Sequence, residues 1–126
     1  GCTDVTGFGL LGHAAEIARA SQVALEINAS AVPLLPGVPE LAQNDRFVTG
    51  GGVRNEDHLA GFVELPHNLP DYLRHTLFDP QTSGGLLIAV AAERADDLLR
   101  ALHHRGASGA VIGRVTVGSP SIVVSR

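Results

Sequence analysis

The spacing of apolar residues along the chain predicts helices that alternate with short strands. Over residues 8–20 the apolar side chains recur at helical spacing and fall on one face, which is typical of an amphipathic helix. A short strand is predicted over residues 23–27, and the proline-rich stretch 31–40 is predicted to be a loop. Two further helices are expected to be brief, at residues 39–43 and 69–76.

The last third of the chain carries a clearer pattern. Residues 86–91 form a continuous apolar run, which predicts a strand that is buried on both faces. An amphipathic helix with inward-facing leucines is predicted over residues 93–105, followed by strands at 110–117 and 122–124. The elements together predict a single α+β domain over residues 1–126, in which helices cover a small mixed sheet.

Composition and charge narrow the class of protein. The hydrophobic fraction is 44 % and the charged fraction 17 %, a balance typical of a soluble globular core. The formal charge of −4 argues against a nucleic-acid surface, and no apolar stretch approaches the roughly 20 residues that span a bilayer. The single cysteine, Cys2, excludes an internal disulfide, and we expect a cytoplasmic protein with no nucleic-acid or membrane partner.

The absence of methionine and of lysine is informative. There is no methionine and the sequence begins with Gly1, so we expect a piece of a longer protein. All nine cationic side chains are arginine, because the chain contains no lysine. Any chemistry that needs a lysine amine must therefore come from outside these residues.

The first candidate site directly precedes the first predicted helix and reads Thr3-Asp4-Val5-Thr6-Gly7-Phe8-Gly9. In one interpretation, Asp4 or Thr6 caps that helix. In the other, Asp4 is a magnesium ligand and the glycines let backbone amides approach phosphate oxygens. The glycine spacing of residues 7–12 also fits the dinucleotide pattern G-x-G-x-x-G, but only six residues precede it, and these make a poor buried parallel strand. We therefore do not predict a dinucleotide site.

Two further polar segments could bind a ligand. Residues 79–85 read Asp-Pro-Gln-Thr-Ser-Gly-Gly, which is either a simple turn or a ligand loop beside a buried strand. The three glycines at 50–52 predict a flexible loop, which is either a hinge or an anion-binding nest beside Arg54. Arg54 taken alone is more typical of a surface ion pair.

Histidine and cysteine spacing does not favour a metal centre or a nucleophile. The adjacent pair His103 and His104 is predicted in the last turn of a helix and points in two directions, about 100° apart. His13 is most typical of a packed or capped polar residue, with phosphate contact as the alternative. Cys2 has no C-x-x-C partner, and we do not interpret it as a nucleophile.

Three segments resemble, in order and separation, the motifs of one enzyme family. Residues 3–13 resemble the sequence that opens the C-terminal half of selenophosphate synthetases (selenide, water dikinases). Residues 51–55, Gly-Gly-Val-Arg-Asn, are similar to a glycine-rich loop of that family. Residues 79–87 are similar to its D-P-Q-T-S-G-G-L-L signature, and the resemblance extends over essentially the whole chain.

This resemblance implies a fold, a reaction and a set of site residues. The fold is that of the C-terminal domain shared by the aminoimidazole ribonucleotide synthetase superfamily. The reaction converts ATP, selenide and water into selenophosphate, AMP and phosphate. Asp4 is implied as a ligand of the Mg²⁺ on the ATP phosphates. The other implied positions line or support the same cofactor-binding interface: Thr3, Thr6, Gly7, His13, Asn55, Asp79, Gln81, Thr82 and Ser83.

The resemblance also implies what the chain lacks. In that family the reactive cysteine or selenocysteine, the catalytic lysine and most ATP ligands belong to an N-terminal ATP-binding domain. We therefore expect that domain as the chain's partner, a homodimer of the full-length protein, and no activity from this chain alone. The alternatives are a superfamily member with a different phosphoryl acceptor, or a non-catalytic homologue that serves as a regulatory or assembly module.

Overall fold

A four-stranded mixed sheet lies at the centre of the fold. In the computed structural model, which describes residues 1–126, the strand order is β3 (Val63–Glu64), β6 (Ser121–Ser125), β2 (Ala24–Asn28) and β5 (Gly113–Thr116). Strand β6 pairs in parallel with both β2 and β3, whereas β5 pairs antiparallel with β2. The predicted α+β class and the small mixed sheet are confirmed.

One face of this sheet carries the hydrophobic core. Helix α1 (Gly9–Ser21) packs on β6 and β2, and helix α4 (Asp71–Phe78) packs on α1. Alternate strand residues point to this face, because side chains in a strand alternate with a period of two. The core residues of these elements are Leu11, Ala14, Ala15, Ala18, Leu25, Ile27, Leu73, Leu77, Phe78, Ile122 and Val124. The other face carries the exposed Val123 and an ion pair at 2.6 Å between the Glu26 carboxylate and the Arg114 guanidinium.

A separate two-stranded ribbon is formed by β1 (Cys2–Asp4) and β4 (Leu86–Ile88), which pair antiparallel. The sequence did not predict β1, and the prediction that residues 86–91 form a strand buried on both faces is wrong. The Leu86 side chain is 66 % exposed and Ile88 is 38 % exposed. The reason is that β4 pairs with β1 alone and lies along an open cleft.

The segment predicted as a flexible glycine loop is helix α3 (Gly50–His58). Thr49 caps this helix, since its hydroxyl accepts a hydrogen bond from the Gly52 backbone N–H at 3.0 Å. Close packing also requires glycine, because a Cβ at Gly51 would lie 2.6 Å from the Pro80 Cγ. The flexible-loop and hinge hypotheses are therefore wrong, and Arg54 takes part in no ion pair. The anion-binding hypothesis stays a prediction, because backbone N–H groups at the start of a helix can also bind an anion.

Two more helices complete the domain: α2 (Val38–Ala42) and α5 (Ala95–His104). Helix α5 begins two residues later than predicted, after a turn of 3₁₀ helix at Ala92–Arg94. Its apolar face is half-buried along an open cleft that β4 and the edge strand β5 also line. None of the five helices has the length and apolar character needed to cross a membrane.

Candidate functional site

Two loops meet beside the start of α1. The first loop (residues 5–8) follows β1, and the second loop (residues 79–85) precedes β4, so the pairing of these strands brings the loops together. The Val5 N–H donates to the Gly85 carbonyl at 2.9 Å, and the Gln81 N–H donates to the Thr6 carbonyl at 2.9 Å. Two of the three sequence motifs are thus joined through their backbones.

Glycines allow the backbones to approach this closely. A Cβ at Gly84 would lie 2.5 Å from the Val5 carbonyl oxygen, which is closer than a real Cβ contact allows. Gly9 has φ +69°, and a Cβ there would lie 2.8 Å from the Phe78 carbonyl group. Helix α1 begins at Gly9 with no side-chain cap, so the hypothesis that Asp4 or Thr6 caps it is wrong.

Asn55 connects the third motif to the other two. It lies on α3, and its Nδ2 donates to the Gly7 carbonyl at 3.0 Å and to the Phe78 carbonyl at 2.9 Å. Phe78 is the last residue of α4 and directly precedes the second loop. One amide therefore fixes α3, the first loop and the end of α4 relative to one another.

The carboxylate of Asp79 is held on both of its oxygens. Oδ1 accepts from the Thr49 hydroxyl at 2.9 Å, and Oδ2 accepts from the Gln81 Nε2 at 3.2 Å. The same Gln81 nitrogen donates to the Asp79 carbonyl at 3.1 Å. These bonds give the second loop a fixed shape. Sequence reasoning missed Thr49, although a threonine directly before a helix is a recognisable cap signal.

His13 is packed, as one of its two interpretations predicted. It is 8 % exposed, and the Phe8 ring lies against its imidazole with 5.6 Å between centroids. The imidazole Nε2 is 3.0 Å from the Thr6 hydroxyl oxygen, and Nδ1 is 2.9 Å from the Glu16 carboxylate. Both ring nitrogens are therefore engaged within the chain. Glu16 was missed by sequence reasoning, and its signal is the i, i+3 spacing from His13 on one helix.

The remaining predicted site residues lie in β1 and in the two loops. Asp4 is exposed, and no ion pair of the domain includes its carboxylate. The Thr3 hydroxyl donates to the Asp4 carbonyl at 3.2 Å. Gly7, Thr82 and Ser83 are exposed as well. The structure thus places the predicted site residues in β1, in the two loops and on helices α1 and α3.

Comparison with known proteins identifies the fold family. The family model described as AIR synthase related protein, C-terminal domain, matches residues 1–125. The chain belongs to this family. The predicted resemblance to the aminoimidazole ribonucleotide synthetase superfamily is thereby confirmed.

Two curated relatives of this AIR synthase related domain have the same name. The chain is 44 % identical to the selenide, water dikinase of Pseudomonas straminea over 123 residues, which are 97 % of the chain and 34 % of the relative. It is 46 % identical to the selenide, water dikinase of Rhizobium meliloti (strain 1021), again over 97 % of the chain and 35 % of the relative. The domain therefore spans about a third of the length of the curated relatives that it matches.

A solved structure supports the fold. Thiamine-monophosphate kinase from Stenotrophomonas maltophilia K279a superposes with a TM-score of 0.64 at 23 % identity. The match covers 98 % of the AIR synthase related domain and 30 % of that kinase. At this identity the likeness extends to the fold alone.

The domain supplies only part of the ligand set that a Mg²⁺ ion needs. Its donor atoms are suitable, because Mg²⁺ prefers oxygen ligands and the Asp4 carboxylate is exposed and unpaired. No group of three or more histidine, cysteine, aspartate or glutamate side chains is arranged to hold a metal ion. The predicted role of Asp4 as a metal ligand therefore needs further ligands from phosphate, water or another part of the protein.

Proposed function

We propose that the complete protein containing this domain is a selenide, water dikinase, which makes selenophosphate, AMP and phosphate from ATP, selenide and water. Membership of the AIR synthase related family and the name shared by the relatives support this proposal. The observation that carries it is the unpaired Asp4 carboxylate beside two loops whose positions are fixed by the internal hydrogen bonds of Asn55 and Asp79. A charged group left free on a rigid support is suited to an external ligand.

The proposed site residues divide into two groups. Asp4, Thr82 and Ser83 are exposed and would contact the magnesium–phosphate moiety directly. When bound, Mg²⁺ would neutralise phosphate charge and position the phosphoryl groups. The others would hold the loops in place or line them, and they are Thr3, Thr6, Gly7, His13, Asn55, Asp79 and Gln81.

We further propose that an N-terminal ATP-binding domain supplies the chemistry that this chain lacks. The chain contains no lysine, and its cysteine is exposed at the start of β1. The isolated chain is therefore proposed to be inactive, and the complete protein is proposed to be a cytoplasmic homodimer. Exposed apolar side chains beside the two loops support a docking face for that domain, among them Phe8, which is 58 % exposed, and Leu86.

The test uses the full-length protein with ATP, Mg²⁺ and selenide, and it follows the products by phosphorus NMR. We expect selenophosphate and AMP from the wild type. Asp4→Asn should lower turnover by at least about tenfold, since even outer-shell partners of a metal are worth about 10- to 100-fold. The matched control is Asp45→Asn, an exposed carboxylate outside the two loops, which should turn over normally.

The other outcomes contradict separate parts of the proposal. ATP consumption without selenophosphate would overturn the substrate and favour a different phosphoryl acceptor. Absence of ATP consumption would favour a non-catalytic module. Magnesium-dependent ATP turnover by the isolated 126-residue chain would refute the statement that it is inactive.

A further inference from the structure

A hydroxyl, an imidazole and a carboxylate lie in series at the start of α1. The Thr6 Oγ1 is 3.0 Å from the His13 Nε2, and the His13 Nδ1 is 2.9 Å from the Glu16 Oε2. The same order of groups orients the base in hydrolytic triads, where the carboxylate fixes the imidazole tautomer. Glu16 is part of none of the three motifs, and the proposed function assigns it no role.

The surroundings leave the imidazole few other partners. His13 is 8 % exposed, and the Phe8 ring covers it. Gly12 keeps Phe8 in this position, because a Cβ at Gly12 would lie 2.5 Å from the Phe8 Cβ. A buried polar atom requires a hydrogen-bond partner, and here each ring nitrogen has one. The tautomer is therefore set by Thr6 and Glu16 rather than by water.

The direction of the hydrogen bonds follows from the chemistry of the groups. An ionised carboxylate only accepts, so the His13 Nδ1 must carry the proton that faces Glu16. In a neutral ring Nε2 is then the acceptor, and the Thr6 hydroxyl must donate to it. The Thr6 backbone is fixed as well, since its carbonyl accepts from the N–H groups of Gly9 and Gln81 at 3.0 and 2.9 Å.

We propose that Glu16 is a positioning residue that acts through His13 on the Thr6 hydroxyl. The Thr6 hydroxyl hydrogen then points to the imidazole ring, and the Thr6 Oγ1 presents only its lone pairs to the ligand. Such an oxygen can accept from water around a cation or bind the cation itself. It cannot donate to a phosphate oxygen. The inference deepens the proposed function, on which it rests, by assigning the first loop to the cation rather than to the phosphate.

Replacing Glu16 tests this assignment. In Glu16→Gln the amide no longer fixes a proton on Nδ1, so the ring can protonate on Nε2 and turn the Thr6 hydrogen outward. The Glu16 side chain is 55 % exposed, so we expect little effect on folding. In the full-length protein kcat should fall about tenfold. The KM for ATP should stay within about twofold, because the lost interaction belongs to the reacting geometry.

The matched control and a double mutant separate positioning from structure. Glu26→Gln removes a half-exposed carboxylate that pairs with Arg114 far from the two loops in the sequence, and it should leave kcat unchanged. In a Thr6→Val background, Glu16→Gln should have no further effect, because both substitutions remove the same oriented hydroxyl. Independent losses that multiply, or a fall in melting temperature that accounts for the lost turnover, would overturn the inference.

Nitrogen NMR of the histidines provides a readout that does not depend on activity. With labelled histidine in the full-length protein under mildly alkaline conditions, and His13→Gln used for assignment, we expect the Nδ1–H tautomer in the wild type. The Nε2–H form should appear in Glu16→Gln. An Nε2–H ring in the wild type would overturn the inference. If NMR showed the expected tautomers but the full-length protein made no selenophosphate, the positioning role would be supported and only the proposed function would be refuted.

Discussion

The contact between the start of α1 and the end of α4 makes Gly9→Ala a sharp test of the structure. Gly9 has φ +69°, a backbone conformation that costs an L-residue about 1–2 kcal/mol. Its Cβ would also lie 2.8 Å from the carbonyl carbon and oxygen of Phe78, and 3.0 Å from the Asp79 carbonyl oxygen. These are backbone atoms, which cannot swing away as the end of a flexible side chain can.

The magnitude follows from these two contributions. Overpacking against fixed atoms typically adds about 1–3 kcal/mol to the backbone strain. We therefore expect Gly9→Ala to lower the free energy of unfolding by about 2–5 kcal/mol. This is a large share of the roughly 5–15 kcal/mol that stabilises an ordinary domain. Gly106 provides the control, because its φ is +74° but a Cβ there would meet no atom within 4 Å. Gly106→Ala should cost only the strain, about 1–2 kcal/mol.

Urea unfolding of the 126-residue chain, followed by circular dichroism, measures both variants. The difference between them isolates the contact with α4, and we expect it to be about 1–3 kcal/mol with an unchanged urea dependence. Equal destabilisation of the two variants, within about 0.5 kcal/mol, would refute the close approach of α1 to the end of α4.

Two further predictions concern the polar bonds between the motifs. Asn55→Asp should destabilise the chain by about 2 kcal/mol, and by more than Asn55→Ala does, because the new carboxylate faces two carbonyl oxygens. Urea unfolding measures both variants, with the exposed Asn68→Ala as a neutral control. If Asn55→Ala proved the more destabilising of the two, the donor role of Asn55 would be contradicted. Thr49→Val should lower the free energy of unfolding by about 1 kcal/mol, because the cap of α3 is lost. The substitution should also release the Asp79 side chain, which hydrogen exchange of the backbone amides in the second loop would report as a faster rate. Unchanged exchange in that loop would contradict the contact between Thr49 and Asp79.

The sequence predicted the longer elements because their apolar pattern covers several turns or alternations. Helices α1 and α5 and strands β2, β5 and β6 were found in this way, whereas α2 and α4 were predicted from the prolines near their starts, Pro39 and Pro70. Strands β1 and β3 have three and two residues, which is too short for a period of two to be recognised. Helix α3 was missed for a different reason, since its three glycines have poor helix propensity and the Thr49 cap and the packing on Pro80 outweigh it.

The motifs in the sequence indicated which residues belong to the candidate site, but they did not indicate which groups those residues contact. The sequence indicated Asn55 and Asp79 as site residues, but spacing does not tell where a side chain points across a fold. Their hydrogen bonds reach residues 23 or more positions away in sequence, to Phe78 and Thr49. Glu16 lies one turn along α1 from His13, and only the observed contact distinguishes it from an ordinary exposed helix residue.

The hydrogen bonds within the chain indicate which predicted site residues hold the loops in place and which remain available to a ligand. Both amide protons of Asn55 and both ring nitrogens of His13 are engaged within the chain, so a ligand would have to displace an existing bond to use them. Each Asp79 carboxylate oxygen has one partner from these side chains and keeps a free lone pair, so Asp79 can accept a further bond without losing one. Losing a neutral hydrogen bond costs about 0.5–1.5 kcal/mol, which would weaken the binding of such a ligand. Asp4 and the tip of the second loop carry no such cost. A supported loop with a few free oxygens is therefore the arrangement expected where this domain meets a ligand that other parts of the protein also bind.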